Sequence, residues 1–326
     1  MEAVADSQNM QKILEDFPDQ CEQALRLGKD IRIQGPFEHI IFAGMGGSGF
    51  AGDLARSLFP QEKPIIAHKD YELPAFTTKK SLVFCMSYSG NTEETVSAYR
   101  RAIKIGCQTV SVCSGGKLKE LAQTSKSPLI LIPGGIPPRL AIGYLFLPVM
   151  NVLLENGQLP DLGAQVKPLI KTLRSSMIQK GAVQLAEKLR YRVPVLYTSD
   201  RLAVLGKAWK AYLNENAKIH AFANVLPELN HNEICGYTNI NACYYVVMMR
   251  DDEDAQQIKK RISVTKDLIK RAGVSVTEMG ITGESALAKL FSALYLGMWT
   301  SYYLAIFYET DPTPVAIIED LKQKLK

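Results

Sequence analysis

Short apolar runs in this chain end in glycine- or serine-rich turns and lead directly into helix-forming stretches. His39-Ile40-Ile41-Phe42-Ala43 runs into Gly44-Met45-Gly46-Gly47-Ser48-Gly49, and a helical pattern follows from Phe50 to Leu58. Leu82-Val83-Phe84-Cys85 runs into Ser87-Tyr88-Ser89-Gly90-Asn91-Thr92, and a helix follows over Glu93 to Ile105 with Thr92 as its N-cap. Ile65-Ile66-Ala67, Thr109 to Val112 and Leu129 to Ile132 read as further strands, and Lys117 to Ala122 as a helix. These runs are apolar at successive positions, not at every second one, so both faces of each strand must be covered. Alternation with helices then predicts an α/β fold built on a parallel sheet with helices on both sides.

A helical opening over Asn9 to Gly28 precedes this series. A Gly/Pro-rich loop from Pro133 to Pro138 and a helix over Arg139 to Leu154 close it. The polar, turn-rich Asn156 to Leu162 marks the start of an interdomain connection, giving domains over 1–155 and 156–326. Two helical stretches reach Arg192, and a second series begins at Val195-Leu196-Tyr197. It continues with a helix from Arg201 to about Ala217, a short polar segment from Asn230 to Gly236 and a strand over Cys243 to Met248. An amphipathic helix over Asp254 to Gly273 and a strand over Val274 to Met279 follow. A long apolar helix, the turn Asp311-Pro312-Thr313-Pro314 and a charged terminal helix complete the chain. The two halves read as one βα design used twice without obvious sequence repetition.

Composition narrows the function classes. Of the 326 residues, 47% are hydrophobic, enough for a sizeable core. The net charge of +5 suits a small anionic ligand and is too weak and too dispersed to argue for nucleic acid. Six cysteines without CxxC spacing and only four histidines argue against a structural metal site. The first residues carry acids and no apolar core of a secretory signal, so free thiols and a cytoplasmic location are expected. Leu290 to Tyr308 lacks charge and is long enough to span a membrane. Ser292, Thr300, Ser301 and four tyrosines within it favour a buried core or subunit-interface helix instead.

Two loops can carry chemistry. Gly44, Gly46 and Gly49 match a bare GxGxxG, but Asp70 comes late for the acidic partner of a dinucleotide site. Phosphate binding at a helix N-terminus, a nucleotide site and a tight structural turn all remain open for this loop. The Ser87–Thr92 loop concentrates hydroxyls and amides at a strand-to-helix edge, where α/β sheets bind ligands. It reads as a donor-rich cup for a phosphate monoester or as an ordinary capping turn; no Walker pattern is present.

Together, strand–GMGGSG and the later SYSGNT resemble the SIS domain, a phosphosugar-binding module. Four more stretches extend the likeness: Pro138-Arg139, Asn214-Glu215-Asn216-Ala217-Lys218, Leu226-Pro227-Glu228 with His231-Asn232, and Asp311-Pro312-Thr313-Pro314 before Leu321-Lys322. In that order, from about residue 40 to the end, they resemble the bifunctional phosphoglucose/phosphomannose isomerase family of archaea and some bacteria. The resemblance implies two SIS-type domains, a terminal helix that returns to the active site, and interconversion of glucose 6-phosphate and mannose 6-phosphate with fructose 6-phosphate.

The resemblance also implies roles. Gly46, Gly47, Ser48, Ser87, Ser89 and Thr92 would hold the phosphate. Arg139 would stabilise the enediolate, and Glu215 would move the proton between C1 and C2. His231, supplied by the neighbouring subunit of a homodimer, and Lys322 would serve ring opening. No cofactor or metal is required for such chemistry, because one carboxylate can alternate between base and acid. Some relatives carry two adjacent histidines; here Asn230 precedes His231, so only His231 can serve. Mannose activity calls for a small hydroxyl residue, for which Thr313 is the candidate and Thr310 the competitor.

Taken singly, each residue has an ordinary structural reading: a surface carboxylate for Glu215, the start of a helix for Arg139, a hydrogen-bonded histidine for His231, a solvated lysine for Lys322. Two other functions stay in view. One is a non-catalytic phosphosugar sensor, although the residues before the first strand are too few for a typical DNA-binding domain. The other is an isomerase for an amino sugar or pentose phosphate. Residue 2 is Glu, not the cysteine nucleophile of a glutaminase domain, and a single-SIS isomerase would be much shorter.

Overall fold

The computed structural model describes residues 6–59, 63–160 and 163–325. In chain order the elements begin with α1 (Met10–Glu15), α2 (Phe17–Ala24), β1 (His39–Gly44), α3 (Gly46–Leu58), β2 (Ile65–His68) and β3 (Ser81–Met86). Next come α4 (Glu93–Ile105), β4 (Gln108–Cys113), α5 (Gly116–Thr124), β5 (Leu129–Leu131), α6 (Ile142–Glu155), α7 (Gly163–Leu173) and α8 (Ser176–Leu189). The remainder is β6 (Val193–Ser199), α9 (Ala203–Glu215), β7 (Phe222–Leu226), β8 (Tyr244–Arg250), α10 (Gln256–Arg271), β9 (Ser275–Gly280), α11 (Ala286–Phe307) and α12 (Ala316–Lys324).

The chain divides into two compact units. One comprises Asp16–Arg174 with Gly283–Ala288; the other comprises the described parts of Met1–Glu15, Ser175–Thr282 and Lys289–Lys326. The expected opening helix is broken into α1 and α2 at Asp16. Pro18 lies in the first turn of α2, where its missing N–H costs no helical bond.

The first unit holds a five-stranded sheet in the order β2-β1-β3-β4-β5, parallel throughout. Both faces of its central strands β1, β3 and β4 are buried, which accounts for their continuous apolar runs. Ile41, Ala43, Val83 and Cys85 pack with Ala98, Tyr99 and Leu118 on one face. Phe42 and Phe84 stack on the other at 5.2 Å between ring centroids. The second unit holds a four-stranded parallel sheet in the order β7-β6-β8-β9. Val195, Tyr197, Val246 and Met248 pack there with Ile262 and Ile269 of α10.

Each sheet reverses strand order between its first and third strands, β1 and β3 in one and β6 and β8 in the other. The crevice at that reversal, outside the carboxyl ends of the strands, is where open α/β sheets take ligands. The apolar helix α11 has the length and hydropathy of a membrane span, but 78% of its apolar window is buried inside the protein. Trp209 Nε1 donates to the Ala293 carbonyl at 2.8 Å, and Asn216 Nδ2 donates to Ser301 Oγ at 2.9 Å, so α11 is a core helix of the second unit. All six cysteines are free thiols, four of them buried.

Candidate active site

In the first unit, two helix N-termini meet at the strand reversal. α3 starts at Gly46, not at Phe50 as the apolar pattern suggested, so the glycines and Ser48 form its first turn. The amides of Gly46, Gly47 and Ser48 have no partner inside the helix; the first helical bond runs from the Gly49 N–H to the Met45 carbonyl at 3.1 Å. α4 starts beside it at the end of the adjacent strand β3. Thr92 is its N-cap by position, yet its side chain makes no capping bond. Its Oγ1 lies 2.8 Å from Ser87 Oγ, and its amide donates to that same oxygen at 3.3 Å. The hydroxyl pair therefore sits in front of the first turn of α4 without blocking its amides, and two positive helix ends face one crevice.

The loop between them is held from below. Ser48 Oγ accepts the Tyr88 N–H at 3.0 Å, which ties the α3 loop to the β3 loop. Tyr88 in turn accepts from Ser114 Oγ at its carbonyl, at 2.7 Å, and its phenol oxygen accepts the Ile136 N–H at 3.2 Å. Burial raises the Tyr88 phenol above its ordinary pKa. Gly90 adopts φ +73°, and a Cβ there would fall 1.8 Å from the Gly115 carbonyl oxygen, so only glycine fits this turn. Ser87 is buried and Ser89 exposed, its Oγ accepting the Asn91 N–H at 3.2 Å.

Arg139 was expected to begin a helix. It lies instead in a one-turn 3-10 segment, Pro138–Leu140, and α6 starts only at Ile142. Pro137 and Pro138 supply no N–H for a longer helix here. Arg139 is 3% exposed. Its backbone approaches α3 closely: a Cβ on Gly47 would lie 2.8 Å from Arg139 Cα. The structure thus joins Gly46, Gly47, Ser48, Ser87, Thr92 and Arg139 around one crevice of the first unit, with Ser89 at its exposed rim.

In the second unit, Glu215 is the last residue of α9 and is half-buried. The Tyr212 phenol, one turn back, is raised by its burial and then by the charge of Glu215. Lys218, at φ +57°, turns back so that its Nζ donates to the Glu215 carbonyl and to the Pro312 carbonyl, the latter at 3.3 Å. That lysine joins the NENAK turn to the turn that carries Thr313. Thr313 is buried, and its amide donates to Asp311 Oδ1 at 3.0 Å. Burial pushes Asp311 up, but hydrogen bonds from Ser7 and Thr313 outweigh it and hold the carboxyl below its usual range. The Thr310 hydroxyl bonds back to the Tyr308 carbonyl at 3.2 Å.

His231 is exposed at the end of a 3-10 turn, Glu228–His231. Lys322 is exposed on α12, a helix with no buried residue. No local sequence pattern marks β7, Lys218 as a bridge, or Glu233 with Tyr197 and Asn224 beside the His231 turn. Among the described residues no group of three or more His, Cys, Asp or Glu could hold a metal ion.

Comparison with known proteins places the chain in a family. Residues 178–325 match the bacterial phospho-glucose isomerase C-terminal SIS domain family. The chain is 38% identical to the bifunctional phosphoglucose/phosphomannose isomerase of Caldicellulosiruptor bescii, covering 95% of this chain and 96% of the relative. It is 35% identical to the protein of the same name from Aquifex aeolicus, covering 97% and 98%. Among solved structures, the C-terminal domain of glucosamine-fructose-6-phosphate aminotransferase from Francisella tularensis superposes with a TM-score of 0.72 at 15% identity. That match covers 94% of this chain and 98% of that one, and shows the shared fold. On near full-length likeness to these relatives, the chain belongs to the bifunctional phosphoglucose/phosphomannose isomerase family.

Proposed function

We propose that this protein interconverts glucose 6-phosphate and fructose 6-phosphate, and mannose 6-phosphate and fructose 6-phosphate, through a cis-enediolate. The observation that carries the reading is the pairing of two helix N-termini, α3 and α4, around the Ser87–Thr92 hydroxyl pair at the strand reversal. Paired helix-end amides and hydroxyls suit a phosphate monoester held for binding, not for transfer.

The remaining residues divide the chemistry. Gly46, Gly47, Ser48, Ser87, Ser89 and Thr92 bind the phosphate and so fix the far end of the sugar. His231 moves a proton at the ring oxygen, and Lys322 assists on the same side; ring opening exposes the C1 carbonyl. Glu215 takes the C2 proton and returns it to C1. Arg139 faces the oxygen on which negative charge develops, where a preformed guanidinium lowers the barrier. Thr313 leaves room for rotation about C2–C3, which lets the mannose epimer enter the same enediolate. The exposure of His231 supports its use by a second copy of the chain in a homodimer.

The test is Glu215→Gln. The variant should lose about 10²–10⁴-fold in kcat while binding fructose 6-phosphate within about 3-fold of the parent, a change under 1 kcal/mol. Retained turnover would remove Glu215 as the base. Loss of binding together with turnover would assign it to substrate holding instead.

A further inference from the structure

His231 is exposed, but its two flanks are not loose. On one side Asn230 Nδ2 donates to Thr265 Oγ1 of α10 at 2.8 Å, and Arg261 Nη1 donates to Asn230 Oδ1 at 3.2 Å. On the other side lies Glu233, at the start of the next 3-10 segment, Glu233–Thr238. The Tyr197 hydroxyl donates to Glu233 Oε1 at 2.6 Å, and Asn224 Nδ2 donates to Oε2. One carboxylate therefore ties the His231 turn to two adjacent strands, β6 and β7. Asn232 closes the segment between them: its Oδ1 accepts the Glu233 N–H at 2.6 Å, and its Nδ2 donates to Glu228 Oε1 at 2.7 Å.

The direction of these bonds is fixed by proton count. Tyr197 has one hydroxyl proton and gives it to Glu233. Tyr237, whose hydroxyl is 2.8 Å from that of Tyr197, must then donate to it. Burial raises both phenols, Tyr237 to about 12, so they remain donors at neutral pH. Packing and this tie act at different places. Leu229 anchors the N-terminal part of the turn in the core, but Tyr197, Glu233 and Tyr237 border a cavity of about 200 Å³ with Phe222 and Tyr244, so on the Glu233 side polar contacts supplement the packing.

We infer that Glu233, held by Tyr197 and Asn224, is a positioning residue that fixes His231 for proton transfer at the sugar ring oxygen. The inference rests on the role proposed for His231 and adds the carboxylate that acts through it. Chemistry at a histidine tolerates little misplacement; about 1 Å can cost about 10²-fold. A turn with a freed C-terminal flank loses that placement without losing the histidine.

The variant Glu233→Gln offers one acceptor where the carboxylate offered two: either its nitrogen meets the Asn224 Nδ2, donor against donor, or it meets Tyr197, whose proton must then turn to Tyr237. Asn224 cannot simply rotate, because its Oδ1 accepts the Val225 N–H at 2.8 Å. Adding Asn224→Asp reverses the polarity and restores a donor–acceptor pair. The experiment measures kcat with glucose 6-phosphate for the parent, Glu233→Gln, His231→Ala and their double variant, with melting curves for each. The expected result is a loss of about 10²-fold for Glu233→Gln in the parent, a loss under about 2-fold in the His231→Ala background, and recovery on adding Asn224→Asp. A purely structural Glu233 would lower activity equally in both backgrounds, and that outcome overturns the inference. Full activity of His231→Ala overturns the His231 assignment and this inference with it. An impaired His231→Ala beside unaffected Glu233→Gln and Tyr197→Phe variants overturns the inference alone. Should Glu233→Gln fail to fold, Tyr197→Phe, which removes only the hydroxyl, enters the same cycle with the same readings.

Discussion

A Cβ placed on Gly47 would lie 2.8 Å from Arg139 Cα and 2.6 Å from the Pro138 carbonyl oxygen. The glycine at the phosphate end of the crevice is therefore also what lets the arginine segment close on it. Gly47→Ala should push the Arg139 segment outward. We expect kcat/KM to fall about 10²-fold, with a stability loss of about 1–3 kcal/mol from the forced contact. Steady-state kinetics and a denaturant melt on the same preparation check both figures.

The hydroxyl pair is separable from that effect. Ser87 Oγ serves both Thr92 Oγ1 and the Thr92 amide. Ser87→Ala should raise KM about 10-fold, the range for a hydrogen bond to a charged group, and leave kcat nearly unchanged. Inhibition by inorganic phosphate should weaken by the same factor. A fall in kcat at unchanged KM would place Ser87 in the chemistry, not in the binding.

Thr313 and Thr310 make different predictions. Thr313 is buried on the turn that Lys218 joins to the Glu215 carbonyl, whereas the Thr310 hydroxyl is bonded to the Tyr308 carbonyl. Thr313→Val should lower turnover of mannose 6-phosphate about 10-fold or more relative to glucose 6-phosphate. Thr310→Val should leave that ratio unchanged. Parallel assays on the two sugars decide between them.

The strand reversal of the second sheet is filled by its own charges. Asp251 accepts from Arg201 Nη2 at 2.6 Å and from Lys289 Nζ at 2.9 Å, and Asp254 accepts from Ser199 Oγ at 2.8 Å. Burial pushes the Asp251 carboxyl up, but the Arg201 and Lys289 bonds outweigh it and hold it below its ordinary range. A carboxyl lowered by folding adds stability above its unfolded pKa, about 4, and loses that contribution as pH falls through the folded value. The second unit should therefore weaken only in acid. Arg201→Met leaves Asp251 with Lys289 as its remaining cation; it should cost about 1–3 kcal/mol, the range for a lost hydrogen bond to a charged group, and move acid unfolding to higher pH. Melting curves across pH 3 to 7, about the carboxylate range, test the sign.

The central strands were legible because burial on both faces leaves them apolar at several successive positions: β1, β3, β6 and β8 stand out as runs. β7 did not. It is an edge strand whose residues are only partly covered, and Asn224 interrupts it. The start of α3 was hidden for another reason, since Gly46 and Gly47 carry little helix propensity and are set there by the crevice. Family likeness named Arg139, Glu215 and His231, but not how they are held. Arg139 sits in a proline-limited turn, and Glu233 meets Tyr197 and Asn224 only through sheet pairing of β6 with β7. Contacts that span such distances in sequence leave no local pattern to read.

The most direct test is a coupled assay that supplies glucose 6-phosphate and mannose 6-phosphate separately to the purified protein and follows fructose 6-phosphate. Turnover of both sugars, lost in Glu215→Gln, is the predicted result. Binding of both sugar phosphates without any fructose 6-phosphate formed would contradict it and make the protein a phosphosugar sensor.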